Sequence, residues 1–250
     1  MVAAAKLHRH VSRARAARFL AEGPNLVEAA LRRGLVGEVF ATEEARHKFG
    51  EMLDGAPVSV VTERAAKALS DTVTPVGLVA VCSLPETSLS DVLAARPRLV
   101  LVAVAVSEPG NAGTLIRLAD AMGADAVVLA GHGVDPYNGK CLRASAGSIF
   151  SLPVLEVTDT EELIAALQGI GVRVLATTVD GETSLDSPEL ESDLAKPTAW
   201  LFGPEAHGLA SEVAALADVR VQIPMRGGAE SLNVAAAAAI CLYQSARAQS

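Results

Sequence analysis

Residues 98–120 read RLVLVAVAVSEPGNAGTLIRLAD. From Leu99 to Val106 every side chain is apolar, with no polar alternation. Such a run marks a strand buried on both faces. Pro109 and Gly110 then break it, and Asn111–Gly123 carries helical periodicity closed by Gly123. A buried strand, a polar turn and a helix form the first half of a β-α-β unit and imply a parallel sheet.

The same alternation continues toward the C-terminus. DAVVLAG, VLEV, VRVLATT, TAWLFG and VRVQIP read as strands. NGKCLRAS, DTEELIAALQGIG, LASEVAALA and LNVAAAAAICLYQSARA read as the helices between and after them. On the N-terminal side, SLPETSLSDVLAARPR is polar with two prolines, so residues 84–97 read as a linker. Residues 1–83 form a smaller α/β unit. PNLVEAALRRG is an amphipathic helix opened by Pro24 and closed by Gly34. VGEVFAT, PVSVV and GLVAVC are strands, and EEARHKFGEML and ERAAKALS are helices. The expected organisation is therefore 1–83, linker 84–97 and 98–250.

Half of the 250 residues are hydrophobic and only 3% are aromatic, so the core is built from Ala, Val and Leu. No apolar run is long enough to span a bilayer, and the N-terminus lacks the apolar stretch of a signal peptide. Cys82, Cys141 and Cys241 stand far apart without a CxxC pair, and the five histidines show no metal-ligand spacing. A cytoplasmic protein without metal or membrane contact is expected. The net charge of −8 argues against a general nucleic-acid binder. The first 22 residues nevertheless carry Lys6, Arg9, Arg13, Arg15 and Arg18 against Glu22 alone, which reads either as a solvated terminus or as a basic arm.

Several chemistries find no support. There is no GxSxG elbow and no Walker A loop. Gly131-His132-Gly133 follows a strand, but Pro136 occupies the third glycine position of a dinucleotide fingerprint. Polar residues gather instead where three buried strands end: residues 106–120, AWLFGPEAHGLA at 199–210, and IPMRGGAESLNVAAAAAI at 223–240. Taken singly, each has an ordinary reading. Arg117 can snorkel outward, Glu205 can complement a helix start, and Ser231 or Asn233 can cap a helix.

Together and in this order, the three stretches resemble the motifs of the SpoU/TrmH family of RNA 2′-O-ribose methyltransferases in the SPOUT superfamily. N-x-G-x-x-x-R is met by Asn111, Gly113 and Arg117, and G-x-E-x-x-G by Gly203, Glu205 and Gly208. I-P-M followed by S-L-N-V is met by Ile223–Met225 and Ser231–Val234. RASAGSIFSLPV resembles the family at Arg143, Ser145, Gly147, Phe150 and Pro153, and FLAEGPNLVEAAL and TPVGLVAV resemble its N-terminal substrate-binding domain.

The resemblance implies a SPOUT domain with a parallel sheet and a deep C-terminal trefoil knot, and a homodimer with its site at the interface. It implies S-adenosylmethionine-dependent methylation of RNA, with 23S ribosomal RNA or a ribosomal subunit as partner. A tRNA enzyme of the family and a non-catalytic RNA-binding protein on the same fold stay open as alternatives. Arg117 would stand at the 2′-hydroxyl, with Asn111, Ser231 and Asn233 holding it and the ribose, and Glu205 fixing the geometry, for instance by pairing with Arg117. Gly203, Ile223 and Leu232 would offer backbone to the cofactor, and Leu201, Met225 and Thr177 would line it. The alanine-rich helix would be a buried floor. Arg9, Arg13, Arg15, Arg18 and Arg143 would contact RNA phosphate.

Overall fold

The computed structural model describes all 250 residues, Met1–Ser250. In the N-terminal unit the elements are α1 (Val2–Ala5), α2 (His10–Ala16), β1 (Arg18–Glu22), α3 (Pro24–Arg32), β2 (Val36–Ala41), α4 (Glu43–Lys48), β3 (Val58–Val60), α5 (Glu63–Leu69) and β4 (Leu78–Ser83). Then follow α6 (Leu89–Ala94), β5 (Leu99–Val104), α7 (Pro109–Ala121), β6 (Ala126–Ala130), α8 (Gly139–Ser145), β7 (Val154–Val157) and α9 (Thr160–Gly169). The chain closes with β8 (Arg173–Thr177), β9 (Thr183–Ser184), α10 (Pro188–Leu194), β10 (Thr198–Phe202), α11 (Ser211–Ala214), β11 (Val219–Gln222) and α12 (Val234–Ala248).

Two sheets result. The small one is mixed, in the order β1-β4-β2-β3, with β4 antiparallel to both neighbours and β2 parallel to β3. The large one has seven strands in the order β7-β6-β5-β10-β8-β11-β9, every pair parallel. Because successive strand residues face opposite sides, each sheet feeds two cores. Leu99, Leu101 and Ala103 of β5 enter one core with α7, α8 and α12. Val100, Val102 and Val104 enter another with α6, α9 and α11. In β4, Leu78, Ala80 and Cys82 join the first core, while Val79 and Val81 pack with Leu7, Leu20 and Leu69. The first core therefore runs without a break from the small sheet to the large one.

Three sequence expectations change. The basic N-terminus is no loose arm: it folds as α1, α2 and β1, and β1 pairs along its whole length with β4. The stretch read as a linker contains α6, opened by a reciprocal capping box in which Asp91 N donates to Ser88 Oγ at 3.2 Å and Ser88 N to Asp91 Oδ2 at 2.9 Å. Val92 of this helix is buried against the large sheet. The closing helix α12 buries only one stripe, Val234, Ala238, Cys241, Leu242 and Ser245, and leaves Ile240 and Tyr243 39% and 58% exposed. That stripe is fastened to the middle strand, where Trp200 Nε1 donates to Ser245 Oγ at 2.8 Å, both residues fully buried.

Helices α7 and α8 pack at Gly113, where a methyl group would stand 2.6 Å from Ala144 Cβ and would press on the Cys141 carbonyl. The glycine of the first motif is thus demanded by packing. Gly113→Ala is expected to destabilise the fold by about 1–3 kcal/mol, seen as a lower denaturant midpoint at unchanged slope. An unchanged midpoint would refute the close approach.

Candidate active site

In a parallel sheet all strands end on one edge, and the turns beyond those ends form the ligand-binding crevice. Here β5, β10, β8 and β11 are consecutive neighbours, so the segments after residues 104, 202, 177 and 222 stand side by side. These segments carry all three motifs. The first turn is bent at Ala105, which takes a left-handed φ of 51° while its N–H still bonds Ala130 O at 2.8 Å. It leads to Glu108, whose carboxylate caps α7 by accepting from Gly110 N at 3.1 Å. The Lys140 ammonium, 2.5 Å away, and that backbone donor hold the Glu108 carboxyl below the usual carboxylate range.

Asn111 follows, half-buried in the first turn of α7. Arg117 lies on the exposed side of the same helix and makes no ion pair or hydrogen bond within the chain. Glu205 does not pair with it. Its Oε1 accepts instead from Asn233 Nδ2, joining the second motif to the third. Asn233 also caps α12, its Oδ1 accepting from Ala235 N at 2.9 Å. Ser231 stands exposed beside it and does not cap the helix.

The turn after β10 closes on itself. Gly208 N donates to Pro204 O at 2.8 Å, Gly208 has φ of 66°, and a methyl on Gly203 would stand 2.6 Å from Gly208 O. Both glycines are sterically required. The turn after β8 lies flush on β11: a methyl on Gly181 would meet Gln222 N and Val221 C at 2.7 Å. Beyond β11, Ile223 packs on the core, residues 224–231 are exposed, and Leu232 turns half inward.

The three side chains named as lining from the sequence meet different surroundings. Leu201 is fully buried in the core on the α9 face, so only its backbone reaches the edge. Met225 projects to the surface, 38% exposed. Thr177 uses its hydroxyl on Leu201 O at 2.9 Å, tying β8 to β10. Its neighbour Thr178 went unnoticed in the sequence. Thr178 N donates to Val221 O at 3.0 Å, while Thr178 Oγ1 is buried with no partner. A buried hydroxyl without a partner costs about 1–3 kcal/mol, and a ligand at this edge would satisfy it. Two consecutive threonines closing an apolar strand were the available signal. An orphan hydroxyl among backbone-lined, glycine-tight turns fits a polar cofactor such as S-adenosylmethionine.

Of the arginines expected at RNA, Arg9, Arg15 and Arg18 are exposed. Arg13 is not: its guanidinium is buried on Asp135, with Nε to Oδ2 at 2.8 Å. Arg143 is turned inward as well, toward Asp71 at 3.4 Å and Glu22 at 3.8 Å. Arg13 is therefore committed to a protein carboxylate, while the Arg143 side chain is 33% exposed and its Nη1 has no hydrogen-bond partner. Burial pushes the thiols of Cys82 and Cys141 up to about 12 and that of Cys241 higher still, so none serves as a thiolate nucleophile. No group of three His, Cys, Asp or Glu side chains is placed to hold a metal ion, and no helix is long and apolar enough to cross a membrane.

Known proteins share this arrangement. Residues 98–243 match the SpoU rRNA Methylase family, and residues 3–80 match the MRM3-like substrate binding domain. The 23S rRNA (guanosine(2553)-2′-O)-methyltransferase RlmP of Bacillus subtilis is 38% identical over 240 residues, 95% of this chain and 92% of that protein. The 23S rRNA (uridine(2479)-2′-O)-methyltransferase of Streptomyces viridochromogenes is 36% identical over 176 residues, 69% of this chain and 61% of that protein. The crystal structure of the SpoU methyltransferase AviRb from Streptomyces viridochromogenes in complex with AdoMet superposes with a TM-score of 0.84 at 31% identity, covering 98% of this chain and 96% of that one. With its strand order, its three motif turns on one edge and these likenesses along nearly its whole length, the chain belongs to the SpoU methylase family.

Proposed function

We propose that this chain transfers a methyl group from S-adenosylmethionine to a ribose 2′-hydroxyl of 23S ribosomal RNA. One observation carries the reading: Asn111, Glu205, Ser231 and Asn233 lie on segments beyond one sheet edge, with Arg117 further along α7, in a chain 38% identical to a 23S rRNA 2′-O-methyltransferase. Bound at that edge, the cofactor supplies a methyl group already activated as a sulfonium.

The protein's own task is to deliver and orient the hydroxyl. Arg117 is exposed and unpaired, so its guanidinium is free to grip the 2′-oxygen and the adjoining phosphate. Its role is to orient, because a guanidinium offers donors in a fixed fork and no acceptor. Asn111 and Ser231 hold the ribose. Glu205, kept in place by Asn233, fixes the loop that faces it. The proton of the 2′-hydroxyl held by these residues would pass to solvent water, as the methyl group is transferred and the neutral thioether is left behind.

Gly203, Ile223 and Leu232 present backbone to the adenosine portion. Thr178 adds a hydroxyl there that the sequence reading lacked. Arg9, Arg15 and Arg18 form the cationic patch for RNA phosphate. We further propose a homodimer through the exposed stripe Ala236, Ile240, Tyr243 and Arg247 of α12, which recurs at helical spacing on the side away from the core. A monomer in sedimentation equilibrium at micromolar concentration would overturn it. The knotted C-terminus belongs to this proposal too. It is supported by the Gly181 turn lying across β11 and by α12 returning to pack on α7, β5 and β10. A chain path that straightens freely when drawn out by its two ends would exclude the knot.

Two substitutions test the roles. Arg117→Ala should abolish transfer of labelled methyl to unmodified 23S rRNA while cofactor affinity, read by calorimetric titration, is retained; loss of cofactor binding would sink this division of roles. Thr178→Val should lower cofactor affinity by about three- to tenfold, the worth of one hydrogen bond. An unchanged affinity would remove Thr178 from the site.

A further inference from the structure

We infer that the N-terminal unit is clamped to the methyltransferase unit as a single body, and that Arg13, Asp135 and Arg143 are positioning residues that set which ribose of a bound RNA reaches Arg117. The inference rests on the RNA-methylating function proposed above.

The two units hold each other by ion pairs running in opposite directions. Arg13 of α2 reaches across to Asp135, in the segment between β6 and α8, with side chains only 6% and 13% exposed. Its guanidinium is fixed from its own side too, Nη1 donating to Leu7 O at 2.8 Å and His8 O at 2.9 Å. Asp135 is anchored in turn, its Oδ1 accepting from Tyr137 N at 2.7 Å. Arg143 of α8 reaches back more loosely, its Nη2 donating to Asp71 Oδ2 at 3.4 Å, with Glu22 3.8 Å away and Nη1 left without a hydrogen-bond partner. Glu22 is itself held by Thr72 Oγ1 at 2.7 Å, Asp71 N at 3.0 Å and Ser70 Oγ. Both pairs therefore join parts that are rigid within their own units.

Between them Phe19 of β1 packs its ring 4.9 Å from Tyr137 and 5.9 Å from Phe150, centroid to centroid. The strand that carries Phe19 also feeds the continuous core shared by both sheets. A hinge between domains needs a boundary that few contacts cross. Here a core and two charged clamps cross it. Bonds at two separate points of the boundary oppose rotation as well as separation.

The consequence concerns target choice. The exposed cations are close to Arg13 in the chain: Arg15 lies on α2 with it, Arg9 immediately precedes that helix and Arg18 opens β1. RNA held there is presented to Arg117 across a span that the clamp keeps constant. The distance between the gripped phosphate and the reactive ribose then acts as a ruler.

The test uses the whole protein, with Asp135→Asn and Arg143→Met. Asparagine keeps the bond to Tyr137 N but turns an amide donor toward Arg13. Methionine keeps the Arg143 stem without its charge. Scanning calorimetry should show one unfolding transition for the wild type; two separate transitions would overturn the single body. Both variants should bind S-adenosylmethionine and keep kcat within about twofold on unmodified 23S rRNA. Their KM should rise about tenfold or more, and methylation, mapped by alkali-resistant linkages, should spread to neighbouring riboses. Folded variants that keep KM and a single methylated site would overturn the ruler. If the wild type binds the cofactor but methylates no rRNA, the proposed function has failed and with it the ruler, while the calorimetric result still decides the clamp.

Discussion

Ser245 Oγ receives the indole N–H of Trp200 at 2.8 Å in a fully buried setting, and the site depends on this bond. It fastens the last helix to β10, the strand between β5 and β8. Inside the core neither polar group has water as an alternative, so the geometry in which they meet is strongly preferred over any shifted helix position. With α12 held beneath β10, its start must lie near the ends of β10 and β8. The loop from β11, residues 223–233, crosses the sheet edge to get there. Asn233, the cap of that helix, consequently arrives beside Glu205, and two motifs 28 residues apart become one surface.

The glycines show how a motif can be chemical and steric at once. Gly113, Gly181 and Gly203 each stand where a methyl group would strike another segment. None of these positions faces a reactant through a side chain. They allow three turns and two helices to approach so closely that backbone lines the crevice. Asn111, Glu205 and Ser231 then stand on the segments beyond the sheet edge, with Arg117 further along α7. A pattern of glycines at fixed offsets from polar residues is therefore readable as a site, while either kind alone reads as an ordinary turn or cap.

Strand and helix order along the larger unit was legible because its central strands β5, β6 and β10 are almost wholly apolar and glycine or proline bounds many of its elements. The motif residues were legible as a group. Two kinds of feature were not. Short elements escaped: β1, β9, α6 and α10 have between two and seven residues, too few for periodicity to separate them from loop. The partner of a charge also escaped. Arg13 and Arg143 count as cations in any composition, yet their carboxylates lie 122 and 72 residues away in the chain. Only the fold distinguishes them from Arg9, Arg15 and Arg18, which face solvent. Thr178 is the converse case, a polar residue whose hydroxyl is buried without a partner.

The identity of the clamp carries its own physical meaning. Burying an arginine and an aspartate costs desolvation that their attraction offsets only in good geometry, and well-packed apolar residues in such places often hold as firmly or more so. The units already share a continuous apolar core, so adhesion alone does not call for Arg13 and Asp135. An apolar contact tolerates sliding, because it is non-directional and scales with area. A guanidinium held simultaneously by a carboxylate and two carbonyls tolerates little, since its donors lie in one rigid plane. Charge at this boundary therefore fixes an angle where apolar burial supplies cohesion, and an angle is what a protein needs when one unit must hold RNA and the other must act on a single hydroxyl.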